Sequence, residues 1–299
     1  MKKYILLVLL MLASTSISFS QEWMTSLDAA KRIALVQDKM LFMVWEEASL
    51  IPYPVVVNDE KGIELVFEDL FGHPEINRII WEYFVPVKVS ESLYPELYDE
   101  IKDTRNSTYI KQFEDDNIKI MDVNGMIINT SNSPEAYFNL TKFITAYALN
   151  TSYLKLELDN YSKHQDYNTA FRLASKYMDF AIIVNANIRE DIIQVAKMYL
   201  DNADKHLLTN TTQDKDHLLR KTELLRLTEY LLNDRPKKVL RELKKMDHSA
   251  IDETNKALLA FLYYAAYKLD KDEKNAEAWK SEVSSVNLRK AQLITNIHM

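Results

Sequence analysis

The sequence predicts an α/β domain followed by an all-α domain of paired helices. Three observations carry this. Short continuous apolar runs at Met40–Trp45 and Phe84–Val89 read as buried strands, and both stand between helical stripes. Val123-Asn124-Gly125 separates Asn117–Asp122 from Met126–Asn129, which is a hairpin signal. Beyond Ser152 only helical patterns recur.

Each element has a local reason. Ser26–Lys39 reads as a helix: Ser26 and Asp28 suit its start, and Leu27, Ala30, Ile33, Ala34 and Val36–Gln37 form its approximate stripe. Glu46–Pro54, with two prolines, reads as a loop. Asn58 or Asp59 is expected to cap a helix with its apolar stripe at Ile63, Val66, Phe67, Leu70 and Phe71. Gly72-His73-Pro74 breaks that helix, and Pro74 opens the next, with Ile76, Ile79, Ile80 and Tyr83 as its stripe. Pro86 points to an edge or an irregular position for the strand Phe84–Val89. Further helices are expected at Tyr94–Asp103 and Pro134–Leu149, the latter running on into the second half. In that half Tyr167–Phe180, Ile188–Leu207, Asp216–Leu232, Pro236–Met246, Asp252–Leu269 and Glu273–Val286 read as helices. Tyr167, Ala170, Phe171 and Ala174, and the run Phe261–Tyr267, are spaced as in tetratricopeptide-type helix pairs, without a clean period; a plain bundle accommodates them equally.

Composition narrows the function classes. Met1-Lys2-Lys3, the apolar run Tyr4–Ala13 and the small polar stretch Ser14–Ser20 read as a secretory signal peptide, so residues 1–20 are expected to be a leader, 21–150 the α/β domain and 151–299 the helical domain. The apolar run is shorter than the roughly 20 residues of a spanning helix, and no later segment is long and apolar enough. The expected location is therefore outside the cytoplasm, periplasmic or secreted. From Gln21 to Asn150 there are 22 acidic and 11 basic residues; from Thr151 to Met299 there are 22 acidic and 24 basic. An acidic first half argues against nucleic acid as a partner. The three glycines, Gly62, Gly72 and Gly125, are isolated, which excludes Gly-rich phosphate loops and dinucleotide fingerprints. The six histidines include no pair at i,i+4, so no zinc motif is present in the sequence. Glu114, Asp115 and Asp116 lack the alternation and the glycine of a calcium loop. The sequence therefore predicts no metal and no cofactor.

In order and spacing the first half resembles the thioredoxin-like fold, in particular its secreted thioredoxin-related branch, over roughly Glu22–Asn150. The resemblance rests on Trp23 with Leu27, Ala30 and Lys31, on Asp38-Lys39 before a hydrophobic strand, on Val66-Phe67, on His73-Pro74-Glu75-Ile76, on Phe84–Val89, and on Ile118–Asp122 with Asn124-Gly125. It implies a site where a Cys-x-x-Cys pair faces a cis-proline. By that alignment the cysteines would stand near Val56 and Asp59 and the proline near Asp116. The chain has no cysteine at all. Without a thiolate and a resolving sulfur there is no thiol–disulfide exchange.

The expected function is thus a non-catalytic module that binds a protein or peptide of the cell envelope, in a former active-site cleft lined by Trp45, Glu46, Glu47, Tyr53, Val56, Asp59 and Asp116. Two alternatives stand beside it. One is a non-redox enzyme that uses the cleft carboxylates, although neighbouring Glu46 and Glu47 point in opposite directions on leaving a strand. The other is a structural helical scaffold, which a large apolar contact between the halves would favour.

Overall fold

Ser26 accepts the Ala29 amide through its hydroxyl, and helix α1 runs over Leu27–Gln37 until Asp38 turns it off at φ 56°. The computed structural model describes residues 22–132, 137–209, 214–247 and 251–299, so the expected leader lies outside the described residues. Strand β1 (Met40–Trp45) follows, buried along its whole length. It is a central strand of a four-stranded sheet completed by β4 (Phe84–Val89), β5 (Lys119–Met121) and β6 (Ile127–Thr130), in the order β4-β1-β5-β6. β1 is parallel to β4 and antiparallel to β5, and β5 and β6 form the expected hairpin. Continuous apolar strands fit a sheet covered on both faces. Phe42 meets Phe84 and Phe143 on one face, while Trp45 meets Phe113 on the other. Pro86 sits where its missing amide costs nothing: its carbonyl accepts the Met24 amide at 3.1 Å on the side away from β1.

The expected helix after Asn58 or Asp59 is absent. Its place is taken by the strands β2 (Val55–Asn58) and β3 (Glu64–Phe67), which form an antiparallel hairpin; β7 (Phe138–Asn139) adds in parallel to β2. The physical reason is local. Val55-Val56-Val57 is β-branched and stiff at χ1, which favours a strand. Asp59 accepts the amides of Lys61 and Ile63, both at 2.8 Å, and Gly62 adopts φ 78°, so the chain reverses where a helix would have to propagate. Ile63 and Val66, which would have faced inward on a helix, are exposed, and of the proposed stripe only Leu70 is fully buried.

Helix α2 (Pro74–Tyr83) opens at Pro74 as expected and buries Ile76 and Ile80. Helix α3 (Tyr94–Ile101) matches its sequence pattern. Helix α4 (Ser107–Glu114), capped by Asn106, was not apparent from the sequence pattern: its inward residues are just Tyr109 and Phe113. Helix α5 is confined to Leu140–Tyr147 and capped by Asn139. The expected helix Pro134–Leu149 is therefore shorter: Phe138 and Asn139 are strand, and residues 134–136 lie outside the described residues. Nor does it run into the second half; it stops at Ala148, and the Thr151 amide donates to the Asp38 carbonyl at 3.0 Å.

The second half is helical among the described residues: α6 (Lys155–Lys163), α7 (Tyr167–Ile183), α8 (Arg189–Thr209), α9 (Lys215–Arg226), α10 (Thr228–Leu232), α11 (Pro236–Lys245), α12 (Glu253–Leu269), α13 (Glu273–Lys280) and α14 (Ser285–Asn296). Asp166 and Thr169 close a capping box at the start of α7. α8 packs against β6, the sheet edge opposite β4. Buried apolar residues form one cluster from Ala30 to Ile294, so the two halves share a core.

At their junction lies a fully buried carboxylate. Asp122 accepts the Asn124 and Met126 amides at 2.9 and 3.0 Å, and the Tyr177 and Tyr199 hydroxyls at 2.9 and 2.5 Å. Burial raises its pKa above the ordinary value, and the four donors oppose that shift. Asp122→Ala strands two tyrosine hydroxyls and two amides and is expected to cost about 3 kcal/mol or more. Tyr199→Phe is expected to cost about 1 kcal/mol. In urea, tryptophan emission, dominated by Trp23, Trp45 and Trp81 of the first half, should fall together with far-UV dichroism, dominated by the second. Separate transitions would contradict a shared core.

Candidate functional site

The residues expected to line a cleft divide into two places. Trp45, Tyr53 and Asp116 gather around the segment that leads into β5. The Trp45 indole is buried, donates to the Phe113 carbonyl at 2.9 Å and meets the rings of Tyr94 and Phe113 edge-on. The half-buried Tyr53 shares a 2.9 Å hydrogen bond with Ser131, and the Ser131 hydroxyl accepts the Ile118 amide at 3.0 Å. Burial raises the Tyr53 pKa. Asp116 stands exposed in the same segment. Glu46 and Glu47 leave the end of β1 into solvent: the Glu46 amide donates to Val89, and that of Glu47 to the Glu91 carboxylate. Val56 and Asp59 stand apart, in the β2–β3 hairpin.

Glu46, Glu47, Asp59 and Asp116 are all exposed, and no hydrogen bond joins any two of them. Among the described residues, no group of three or more histidines and carboxylates is placed to hold a metal ion, and no helix is long and apolar enough to cross a membrane.

A residue outside the expected set organises the first place. Lys119 extends from β5 on the same face as Met43 and Trp45, and its side chain has no exposed surface. Its ammonium donates to the carbonyls of Asp115 and Asn117, at 2.5 and 2.9 Å, and lies 3.4 Å from the Asp115 carboxylate. It also stands 5.9 Å from the centre of the Trp45 ring. Lys119 thus holds the segment 115–117 folded over the end of the sheet. Burial brings its pKa down to about 8, against the pull of Asp115. The sequence contains a signal for this: a lone lysine between Ile118 and Ile120 in a strand otherwise apolar.

No family model matches the chain, and no curated protein and no solved structure is found similar to it.

The second place has a different character. Strand β3 is an edge strand, and Ile63, Leu65 and Val66 are 56%, 46% and 61% exposed. Because the Asp59 amide bonds the Ile63 carbonyl, the register makes Leu65 and Phe67 the residues that bond to β2. The amide and carbonyl groups of Glu64 and Val66 therefore face outward, without partners among the described residues. Edges of this kind are usually blunted by charge, proline or a covering element.

The lowered pKa of Lys119 has a definite consequence for stability. Between pH 8 and 10.5 the unfolded chain binds the proton that the folded chain releases, so stability rises with pH across that window. Relative to Lys119→Met, the wild type should gain about 3 kcal/mol between pH 7.5 and 10.5. Urea titrations of both proteins measure it, since the tyrosines shared by both cancel. A flat difference would contradict a buried, titrating Lys119.

Proposed function

We propose that this chain is an exported, redox-inactive protein of thioredoxin-like fold that binds an extended protein or peptide segment along β3. The observation that carries the binding mode is the uncovered apolar edge of β3, with the backbone groups of Glu64 and Val66 turned outward. A strand added to such an edge gains main-chain hydrogen bonds, and the exposed Ile63, Leu65 and Val66 offer it apolar contact on both sides.

Several features support the fold reading. The sheet order β4-β1-β5-β6, with β1 parallel to β4 and antiparallel to β5, is the order the resemblance implies. α1 precedes β1, α2 links β1 to β4, and α5 follows the β5–β6 hairpin, also as it implies. The β2–β3 hairpin stands where the thiol-bearing helix would start, and the chain supplies no thiol. The basic, then apolar, then small-residue opening of the sequence supports export. The core shared by the two halves favours a scaffold role for the helices: they fix the α/β half rather than move against it.

Val66→Pro tests the edge selectively. It removes an outward donor and leaves the β2 ladder intact, because Val56 and Val66 are a non-hydrogen-bonded pair. Decapeptides selected from a random library against the wild type should bind Val66→Pro at least about tenfold more weakly, with little change in melting temperature. Hydrogen exchange should slow at Glu64 and Val66 in the complex. Selected peptides that bind both proteins equally, or protect other segments, overturn the reading. So does a concentration-dependent dimer that Val66→Pro dissociates, since the edge would then serve self-pairing. In an insulin-reduction assay the protein should show no turnover.

A further inference from the structure

Helix α11 runs against the charge of the rest of the chain. Five of its ten residues are lysine or arginine and one is glutamate, while the whole chain carries a net charge of -7. Its apolar residues Val239, Leu240 and Leu243 are buried in the core, so the cationic face is the one turned outward. That face borders a groove of about 860 Å³ between α8, α9, α10 and α11. Arg235, Lys238, Glu242 and Lys245 line it at the spacing of one helix face, so the groove follows α11 from end to end. Ten helical residues measure about 15 Å, the span of about five extended residues. Tyr230 and Met246 also line the groove and are half-buried, which leaves apolar surface for a guest to cover.

Most charges in the groove are already paired. Lys197 holds Glu229 at 3.1 Å, and Arg220 holds Glu223 at the same distance. Glu242 is shared by Lys245 and Arg241, at 2.9 and 3.2 Å. Arg226 is taken by Asp201 and Asp204, at 2.7 and 2.8 Å. Two lining cations remain, Arg235 and Lys238, and neither has a carboxylate or a side-chain hydrogen-bond partner among the described residues. They stand at one end of the groove, around Tyr230. The Arg235 amide donates to the Tyr230 carbonyl at 2.7 Å, and the Lys238 amide to the Arg235 carbonyl at 3.1 Å. The Lys238 ammonium lies 3.9 Å from the centre of the Tyr230 ring. The last lining carboxylate, Asp247, is exposed beyond the opposite end of α11.

This mixed lining discriminates among anionic guests. Glu229 and Glu242 inside the groove repel a uniformly charged phosphate backbone. The buried apolar face leaves α11 nothing to insert into a lipid surface. A polypeptide spaces its charges and brings side chains for an apolar floor. We propose that this groove binds an acidic polypeptide segment of a partner protein, with carboxylates on Arg235 and Lys238 and an apolar side chain against Tyr230 and Met246. It is a second docking surface, independent of the β3 edge.

The probe is a fluorescein-labelled decapeptide of glutamates with a central leucine pair. Its anisotropy is followed as the full protein is added at about 150 mM salt, where exposed charges more than about 8 Å apart are screened. It should bind one to one, and its glutamine counterpart at least about tenfold more weakly. Arg235→Glu combined with Lys238→Glu should weaken the glutamate peptide at least about tenfold. The single Arg235→Gln, at an exposed position, should weaken it about threefold. Lys237→Glu combined with Lys244→Glu makes the same charge change on exposed residues of α11 outside the groove and should alter binding less than about threefold. Val66→Pro should leave it unchanged, and melting curves check that each variant folds. The proposal is overturned if the peptide does not saturate, if the two peptides bind alike, if the outside pair weakens binding as much as the groove pair, or if Val66→Pro abolishes it. It is equally overturned if decathymidylate or phosphatidylglycerol vesicles bind more tightly than the peptide, or if the protein forms a dimer that the groove pair dissociates. The groove would then belong to nucleic acid, to a membrane or to a second copy.

Discussion

The junction of the two halves depends on the carboxylate of Asp122. A fully buried carboxylate is costly unless donors surround it, and here each donor comes from a place that must be brought in. The amides of Asn124 and Met126 bind it only if the chain turns tightly through Gly125, whose φ is 80°. The hydroxyls of Tyr177 and Tyr199 bind it only if α7 and α8 lie against the hairpin. One side chain thereby ties the turn that closes the β5–β6 hairpin to the helix pair that covers the sheet edge. The two tyrosine rings stack 5.6 Å apart, so the polar contact is set within apolar packing rather than beside it. Around it, Tyr147 and Asn129 both donate to Asp191 at 2.8 and 3.1 Å, repeating the same solution further along the junction.

Strand β5 shows how few residues this organisation needs. It is three residues long, and a buried ionisable side chain serves each end. At its start Lys119 binds the carbonyls of 115 and 117; just past its end Asp122 binds the amides of 124 and 126. Cation to carbonyls and carboxylate to amides are complementary ways of satisfying turn backbone that is shut off from water. The cation fixes the segment beside Trp45 and Tyr53, and the carboxylate fixes the turn that carries Gly125. Backbone on either side of β5 is therefore held by charge, not only by packing.

What was legible in the sequence follows from the same physics. β1, β4 and the β5–β6 hairpin were readable because burial on both faces leaves continuous apolar runs, and because Asn124-Gly125 demands its turn. The helical half was readable through its period. The β2–β3 segment was not, because Ile63, Val66, Phe67, Leu70 and Phe71 fall at helical spacing, and helical spacing predicts a buried stripe only when a partner surface exists. Ile63 and Val66 have none. The stronger local evidence was the β-branched run Val55–Val57 and the turn chemistry of Asp59 and Gly62. Helix α4 was missed because two aromatic side chains hold it, too few to make a period. At the candidate sites, Trp45, Tyr53 and Asp116 stand around the segment that leads into β5, while Val56 and Asp59 lie in the β2–β3 hairpin. Lys119 escaped because a lysine in a strand reads as a solvated face until the parity of its neighbours is considered.

On the proposed thioredoxin-like reading, the β2–β3 hairpin stands where a helix would be expected, and the two offer different chemistry. A helix N-terminus offers a positive dipole end and free amides converging on a point, which suits a reactive anion such as a thiolate. A hairpin edge offers amides and carbonyls in alternation along a line, which suits another backbone. Absence of cysteine alone would be compatible with a damaged catalyst in an intact frame. In this chain the hairpin lays out the groups of Glu64 and Val66 in a row, with Ile63 and Leu65 beside them, so on the proposed reading geometry and chemistry differ together. Cysteines introduced at 56 and 59 would place one thiol within a strand and the other in a turn whose amides Asp59 satisfies. No helix dipole would lower the pKa of either.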